Sequence, residues 1–265
     1  MIPRDYITEW RAHAPWADEA QVEQDLVISR ALVELFSDPV LSERFAFRGG
    51  TALHKLFLRP PARYSEDIDL VQVRPAPIGE DLDRIRGVLG TWLAESRWKQ
   101  TDGGVTLTWR FDSEDMPSRP LRLKVEINTR EHGTGFGYHF EELSETSRWF
   151  TGQARIRSFQ LDELMGTKLR ALYQRRKGRD LFDLVRALDD PRASPAGIVA
   201  VCVDCMAAGG TPITRAAMVA NLEAKRAHRL FRSDLSPLLA PGATFDVDDA
   251  LDRVLAELAP LLPSG

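Results

Sequence analysis

Cysteine is almost absent from this chain of 265 residues, which has only Cys202 and Cys205, separated by Val203 and Asp204. With no second pair and no His-x-x-x-His to complete four ligands, the two do not make a zinc site. They read as two small apolar residues on one helix face. Histidine is scarce too, at five residues, and no Ser-His-Asp or Cys-His arrangement is legible. A continuous apolar run of membrane length is missing, because the best stretch, 197–208, is interrupted by Asp204. The charged, amphipathic first residues lack an apolar core leading to a small-residue cleavage site, so the expected location is cytoplasmic. Neither sign of charge dominates: 35 basic against 39 acidic side chains give a net charge of −4, which argues against a general basic coat for nucleic acid. What remains is 43% hydrophobic and 28% charged, a composition that excludes disordered and fibrous chains and suits one large domain or two modest ones.

The hydrophobic pattern changes period along the chain. Val22, Leu26, Ser29, Val33 and Phe36 recur at helical steps and predict a helix closed by Asp38-Pro39. Residues 45–48 read as a short strand meeting Gly49-Gly50, with a helix over 51–58, a second strand over 68–71 and a helix over 79–95. Two more strands are expected at 105–111 and 121–128, the latter strictly alternating. From Leu161 onward the spacing of Leu164, Met165, Leu169, Leu172, Leu181, Leu184 and Leu188 is helical, with further helices expected at 195–208, 214–230 and 247–262. The expected fold is α+β: a mixed sheet flanked by helices over 1–155, then an all-helical domain over 156–265, with the boundary between 152 and 159.

The chemistry concentrates in Phe47-Arg-Gly-Gly-Thr-Ala-Leu53 and Tyr64-Ser-Glu-Asp-Ile-Asp-Leu70. Asp67 and Asp69, at i and i+2 of a strand, project to one face about 6 to 7 Å apart. Carboxylates that close repel unless a cation lies between them, and a hard divalent ion held by carboxylates and substrate phosphates fits that need. Glu126, on the alternating strand with Lys124 and Asn128, is the best third acid, and it would complete a two-metal clamp for phosphoryl transfer. Gly49-Gly50 at a strand-to-helix turn would let backbone approach a phosphate, with Thr51 adding a hydroxyl. His54 could approach a nucleotide, although a structural histidine is at least as well supported. His132 and His139 flank a glycine-rich loop, 133–137, that precedes no helix and is no dinucleotide fingerprint. A local excess of positive charge, seven basic residues against Asp180 and Asp183 between Lys168 and Arg186, offers a place for a polyanion.

In this order the motifs resemble the nucleotidyltransferase fold of the DNA polymerase β type. Arg48–Leu53, Arg63–Leu70 and the later Lys168-Leu-Arg-Ala-Leu-Tyr-Gln-Arg-Arg-Lys-Gly-Arg-Asp-Leu-Phe-Asp-Leu184 narrow the resemblance to the AbiEii nucleotidyltransferase toxins, which include the MenT proteins. The resemblance runs from about Phe45 to Leu188. It implies that Asp67 and Asp69 ligate magnesium, or manganese, and that Arg48, Gly49, Gly50, Thr51 and Ser65 bind the nucleotide. It further implies that Lys168 neutralises phosphate, that Asp183 is another active-site acid, and that Arg175, Arg176, Lys177 and Arg179 meet nucleotide or RNA phosphates. Relatives carry a hydroxyl at the position of Ser65 that is phosphorylated in some of them. The implied reaction moves a nucleoside monophosphate from an NTP to the 3′ end of tRNA and blocks translation, with a cognate antitoxin as partner and no membrane association. Nucleotidylation of a protein or small molecule, and a non-catalytic nucleotide-binding module, are the rival readings.

Overall fold

The computed structural model describes residues 2–101 and 103–264, and the chain divides into two compact units, Met1–Phe159 and Gln160–Gly265.

The first unit opens with three helices, α1 (Arg4–Trp10), α2 (Glu19–Ser37) and α3 (Pro39–Arg44). Asp18 caps α2 through the amide of Ala20, and Asp38 caps α3 through the amides of Val40 and Leu41. The expected stop at Asp38-Pro39 is therefore also a start, with Pro39 in the first turn where its missing N–H costs nothing. Then follow β1 (Phe45–Arg48), α4 (Gly49–Ala52) running into a π-helical turn at Leu53–Phe57, β2 (Asp67–Gln72), α5 (Gly79–Leu89), and β3 (Arg97–Thr101) to β7. The last four strands are β4 (Gly104–Asp112), β5 (Pro120–Asn128), β6 (Tyr138–Thr146) and β7 (Thr151–Phe159). The seven strands form one sheet in the order β3-β4-β5-β2-β1-β7-β6. It is mixed, since β1 with β7 and β2 with β5 run parallel and the other neighbours antiparallel. The apolar stripe of α2 covers one face of this sheet, packing on β7, β5 and β6, with Phe36 meeting Phe47 at 6.4 Å between ring centres.

Three strands lie outside the sequence expectation. β3 is exposed at every position, so it carries no alternation to detect. β6 and β7 are more instructive, because the expected boundary at 155/156 falls inside β7. That strand buries Ala154, Ile156 and Ser158, bonds to β1 on one side and β6 on the other, and so belongs wholly to the sheet. The division falls after Phe159, at the end of the expected 152–159 stretch.

In the second unit the described elements are helical: α6 (Leu161–Gln174), α7 (Gly178–Leu188), α8 (Pro195–Ala208), α9 (Arg215–Arg226), α10 (Arg229–Ser233) and α11 (Val247–Glu257), with short 3₁₀ turns at Ser236–Leu238 and Ala259–Leu261. α6 packs closely on α8 because Gly166 leaves room: a methyl group there would lie 2.4 Å from Val201 Cβ. The helix expected over 214–230 breaks at His228, whose ring accepts from the amide of Phe231 and starts α10. Among the described residues no helix is long and apolar enough to cross a membrane.

One polar knot ties the helical layer of the first unit together. Asp25 of α2 accepts from the indole N–H of Trp10 at 2.9 Å and of Trp16 at 3.4 Å, and pairs with Lys55 of the π-turn at 2.8 Å. Both charged side chains are nearly enclosed, at 8% and 12% exposure. Removing one partner of such a pair leaves an uncompensated buried charge. Asp25→Ala is expected to destabilise the protein by about 3–5 kcal/mol, read as a shift of the urea unfolding midpoint, whereas Asp25→Asn, which keeps the side-chain volume and one acceptor oxygen for an indole, should cost less.

Candidate active site

Register brings the motif residues into rows across the sheet. Arg48 of β1 lies opposite Asp69 of β2, Asp69 beside Glu126 of β5, and Glu126 opposite Thr106 of β4. Cross-strand partners share a face, so this row projects from the side away from α2, and Asp67 beside Lys124 forms a second row next to it. Arg48, Asp69, Thr106, Glu126 and Asn128 line a cavity of about 340 Å³ on that face.

The glycine turn is built around these acids. Gly49 has φ +85°, and a methyl group on it would lie 1.9 Å from Asp69 Oδ2, so two independent constraints exclude a side chain. A methyl group on Gly50 would lie 2.6 Å from Arg63 Nη2 and 2.8 Å from Ser65 Oγ. The glycines thus let Asp69 and the 63–65 segment close on the turn. Thr51, expected to offer its hydroxyl to phosphate, is 3% exposed. Its Oγ1 donates to the Asp67 carbonyl at 2.6 Å and lies 3.0 Å from Ser65 Oγ, which fixes the entry to β2 and corrects that expectation. Arg63, buried beneath the turn with its guanidinium on the Tyr64 carbonyl at 2.9 Å, was not singled out by the sequence, because a basic residue in a loop carries no burial signal.

Asp67 is the most perturbed acid. Its Oδ1 is buried without a hydrogen-bond partner, and its Oδ2 lies 3.6 Å from Lys124 Nζ. Burial pushes its carboxyl up to about 6; Lys124 opposes the shift, and the charges of Asp69, Glu66 and Glu126 add to it. Burial works against the charge of Lys124 as well, yet its bond to Glu126 and the field of Asp67 hold its pKa above the ordinary lysine value. A buried carboxylate oxygen lacking a partner, with a second carboxylate two residues on and facing the same way, is a hard-oxygen donor set that fits a divalent cation. Glu126, expected as the third metal acid, is bonded to Lys124 instead. Among the described residues no group of three acids, histidines or cysteines is gathered to hold a metal.

The second unit holds its own charge cluster. The turn before Gly178 folds α7 back along α6, and Lys168 Nζ reaches Asp183 Oδ2 at 3.0 Å and Asp180 Oδ1 at 3.2 Å. Arg175 grips Asp180 with two bonds, at 2.7 and 2.8 Å. Burial alone would raise Asp180, but Lys168 and Arg175 hold it below the usual carboxylate range. In the sequence Asp180 counts only as an acid within the basic stretch, although its place one turn before Asp183 puts both on one helix face. The run of basic residues is correspondingly less open than expected. Arg175 is committed to Asp180, Arg176 Nη1 lies 3.2 Å from His228 Nε2, Lys177 pairs with Asp234 at 3.3 Å, and the backbone N–H of Arg179 donates to Asp234.

A mixed sheet that presents paired aspartates against a glycine turn defines a nucleotidyltransferase. The chain belongs to the AbiEii nucleotidyltransferase toxin family of type IV toxin–antitoxin systems, whose sequence model matches residues 30–256. Among solved structures it is similar to MenT4, a nucleotidyltransferase toxin of Mycobacterium tuberculosis H37Rv, at 17% identity and TM-score 0.68, covering 98% of this chain and 90% of that one. A nucleotidyltransferase-like antigenic protein from Paracoccidioides brasiliensis matches at 16% identity and TM-score 0.45 over 72% of this chain and 88% of its own. No curated protein matches the chain.

The raised carboxyl of Asp67 has a measurable consequence for stability. Its preference for the protonated form in the folded state contributes stability that is full below its ordinary value of 3.8 and is lost as pH rises through about 6. Without added metal, Asp67→Asn should therefore melt above the wild type at pH 7.5, and the advantage should vanish near pH 4, both read by thermal unfolding. A variant less stable than wild type at both pH values would contradict the assignment.

Proposed function

We propose that the chain transfers a nucleoside monophosphate from an NTP to the 3′ end of tRNA, in a reaction dependent on magnesium or manganese, and so blocks translation until a cognate antitoxin counters it. The observation that carries this reading is the partnerless buried oxygen of Asp67, beside Asp69 and against the Gly49-Gly50 turn, in a family defined by nucleotidyl transfer.

Asp67 and Asp69 would hold the ion, which when bound would draw charge from the α-phosphate and the departing pyrophosphate. Gly49 and Gly50 let the protein backbone approach the triphosphate, and Arg48, on the same row as Asp69 and paired with Glu131 at 3.0 Å, would turn to its negative charge. Lys124, 3.6 Å from Asp67 and bonded to Glu126, holds a positive charge beside the acids. In the transfer the acceptor hydroxyl oxygen bonds to the α-phosphorus, the bond to the bridging oxygen breaks, pyrophosphate leaves and the hydroxyl proton is released. Lys168, fixed by Asp180 and Asp183, supplies a rigid positive charge for phosphate in the helical unit. Ser65 sits where added phosphate would place about two negative charges beside the acids and repel nucleotide.

The test is incubation of the full chain with total tRNA, magnesium and each labelled NTP in turn. Label is expected on tRNA with wild type. It should fall by about a thousandfold or more in the Asp67→Ala, Asp69→Ala double variant and on chelation of the metal. Label on protein or on a small molecule would replace the acceptor, and NTP binding without any pyrophosphate release would replace the reaction with a binding module.

A further inference from the structure

The glycine-rich loop 133–137 and the strand after it are not used by the site described above, yet they build a patch of unusual chemistry. Phe136 is 46% exposed at the loop. Thr134 Oγ1 fixes it, accepting from the Phe136 amide at 3.1 Å and donating to the Gly137 carbonyl at 3.2 Å. Gly133 and Gly137, at φ +77° and +81°, supply the left-handed turns that allow this. On β6, Tyr138 and Phe140 follow on one face, and Phe140 is 40% exposed.

Register sets Phe140 opposite Arg157 and Glu142 opposite Arg155 on β7. The Arg155 guanidinium turns to the Phe140 ring, 4.4 Å from its centre, with no ion pair to Glu142. Arg157 lies 5.5 Å over Tyr138 and 5.4 Å over Phe140, donates once to the Glu43 carbonyl at 2.5 Å, and keeps Nε buried without a hydrogen-bond partner. Among the described residues neither arginine meets a carboxylate, whereas Arg44, Arg84, Arg119, Arg148 and Arg226 all do. Two guanidiniums outside any ion pair, lying over the Phe140 and Tyr138 rings beside the exposed Phe136, suit a ligand that offers both flat rings and phosphates. Single-stranded nucleic acid is that ligand, since its bases stack on aromatic or guanidinium planes and its backbone needs cations.

The patch also shares a face with the reacting groups. Ser158 lies beside Phe47, so Arg157 projects to the side of Arg48 and Asp69. In the strand order β6-β7-β1-β2, Phe140 is three strands from the aspartates, about 14 Å at the usual spacing.

We propose that the open face of β6 and β7 is a stacking platform for the unpaired terminal stretch of the RNA acceptor, with bases against Phe136, Tyr138 and Phe140 and phosphates on Arg155 and Arg157. It rests on the RNA-acceptor reading above. The test measures binding of a short labelled single-stranded RNA by fluorescence anisotropy, without NTP, for wild type, Phe140→Ala, Arg155→Glu and Phe140→Tyr. NTP binding and thermal unfolding are followed alongside. Phe140→Ala and Arg155→Glu should weaken RNA binding by about tenfold or more, raise KM for tRNA, and leave NTP binding and melting unchanged, while Phe140→Tyr retains affinity. RNA binding and KM unchanged in both disruptive variants would overturn the platform and leave the transfer reading intact. RNA binding lost in both disruptive variants, together with a wild type that labels no RNA with any NTP, would keep the platform and overturn the transfer reading.

Discussion

Asp67 places one carboxylate oxygen 3.6 Å from Lys124 and the other in the interior without a hydrogen-bond partner. That is an expensive arrangement, since a buried acceptor left unmet loses its hydration with nothing in return. The surrounding sheet is organised to hold it there. The carbonyl of the same residue is fixed by Thr51, the next acid is packed against a glycine that admits no methyl group, and β5 runs parallel alongside with Lys124 and Glu126 in register. Each of these neighbours fixes position or charge, and together they hold a carboxylate where it is less stable than in water. Such local cost at otherwise well-packed positions is the mark of a site shaped for a ligand.

Enclosed lysines recur as organising charges. Lys55 joins α2 to the π-turn through Asp25 and Ser29, and Lys168 joins α6 to α7 through Asp180 and Asp183. In each case a flexible stem delivers a compact charge to oxygens from a different element, so the pair specifies which helices meet and in what register. Lys124 differs: it is bonded within its own strand to Glu126 and reaches across to Asp67, in a place where its charge stands against the acids of the reaction.

Much of this was legible in the residues. The alternation in 121–128 and the Asp-x-Asp spacing gave two adjacent strands and one shared face, and the glycines marked the turn, because each signal is local and has a fixed period. The two helices that carry Lys168 and Asp183 were readable too, from the spacing of their leucines, and the turn between them brings the two side chains to 3.0 Å. What escaped was which neighbour each side chain chooses. The commitment of Glu126 to Lys124, of Thr51 to a carbonyl and of Arg175 to Asp180 follows from side-chain geometry that no spacing rule contains, even where the partners are near in the chain. β7 carries a weak strand signal because its inward residues, Ala154, Ile156 and Ser158, include small and polar ones that blur the alternation, and their fit only shows beside Phe47 and α2.

Lys124 also bears on how the crowded carboxylates coexist. A tethered ammonium between two acids acts as a built-in counter-ion at high local concentration: it lies 3.6 Å from Asp67 and is bonded to Glu126, so the chain's own charge offsets part of the repulsion among the acids on this face. Any cation entering between them would compete with a charge that never diffuses away.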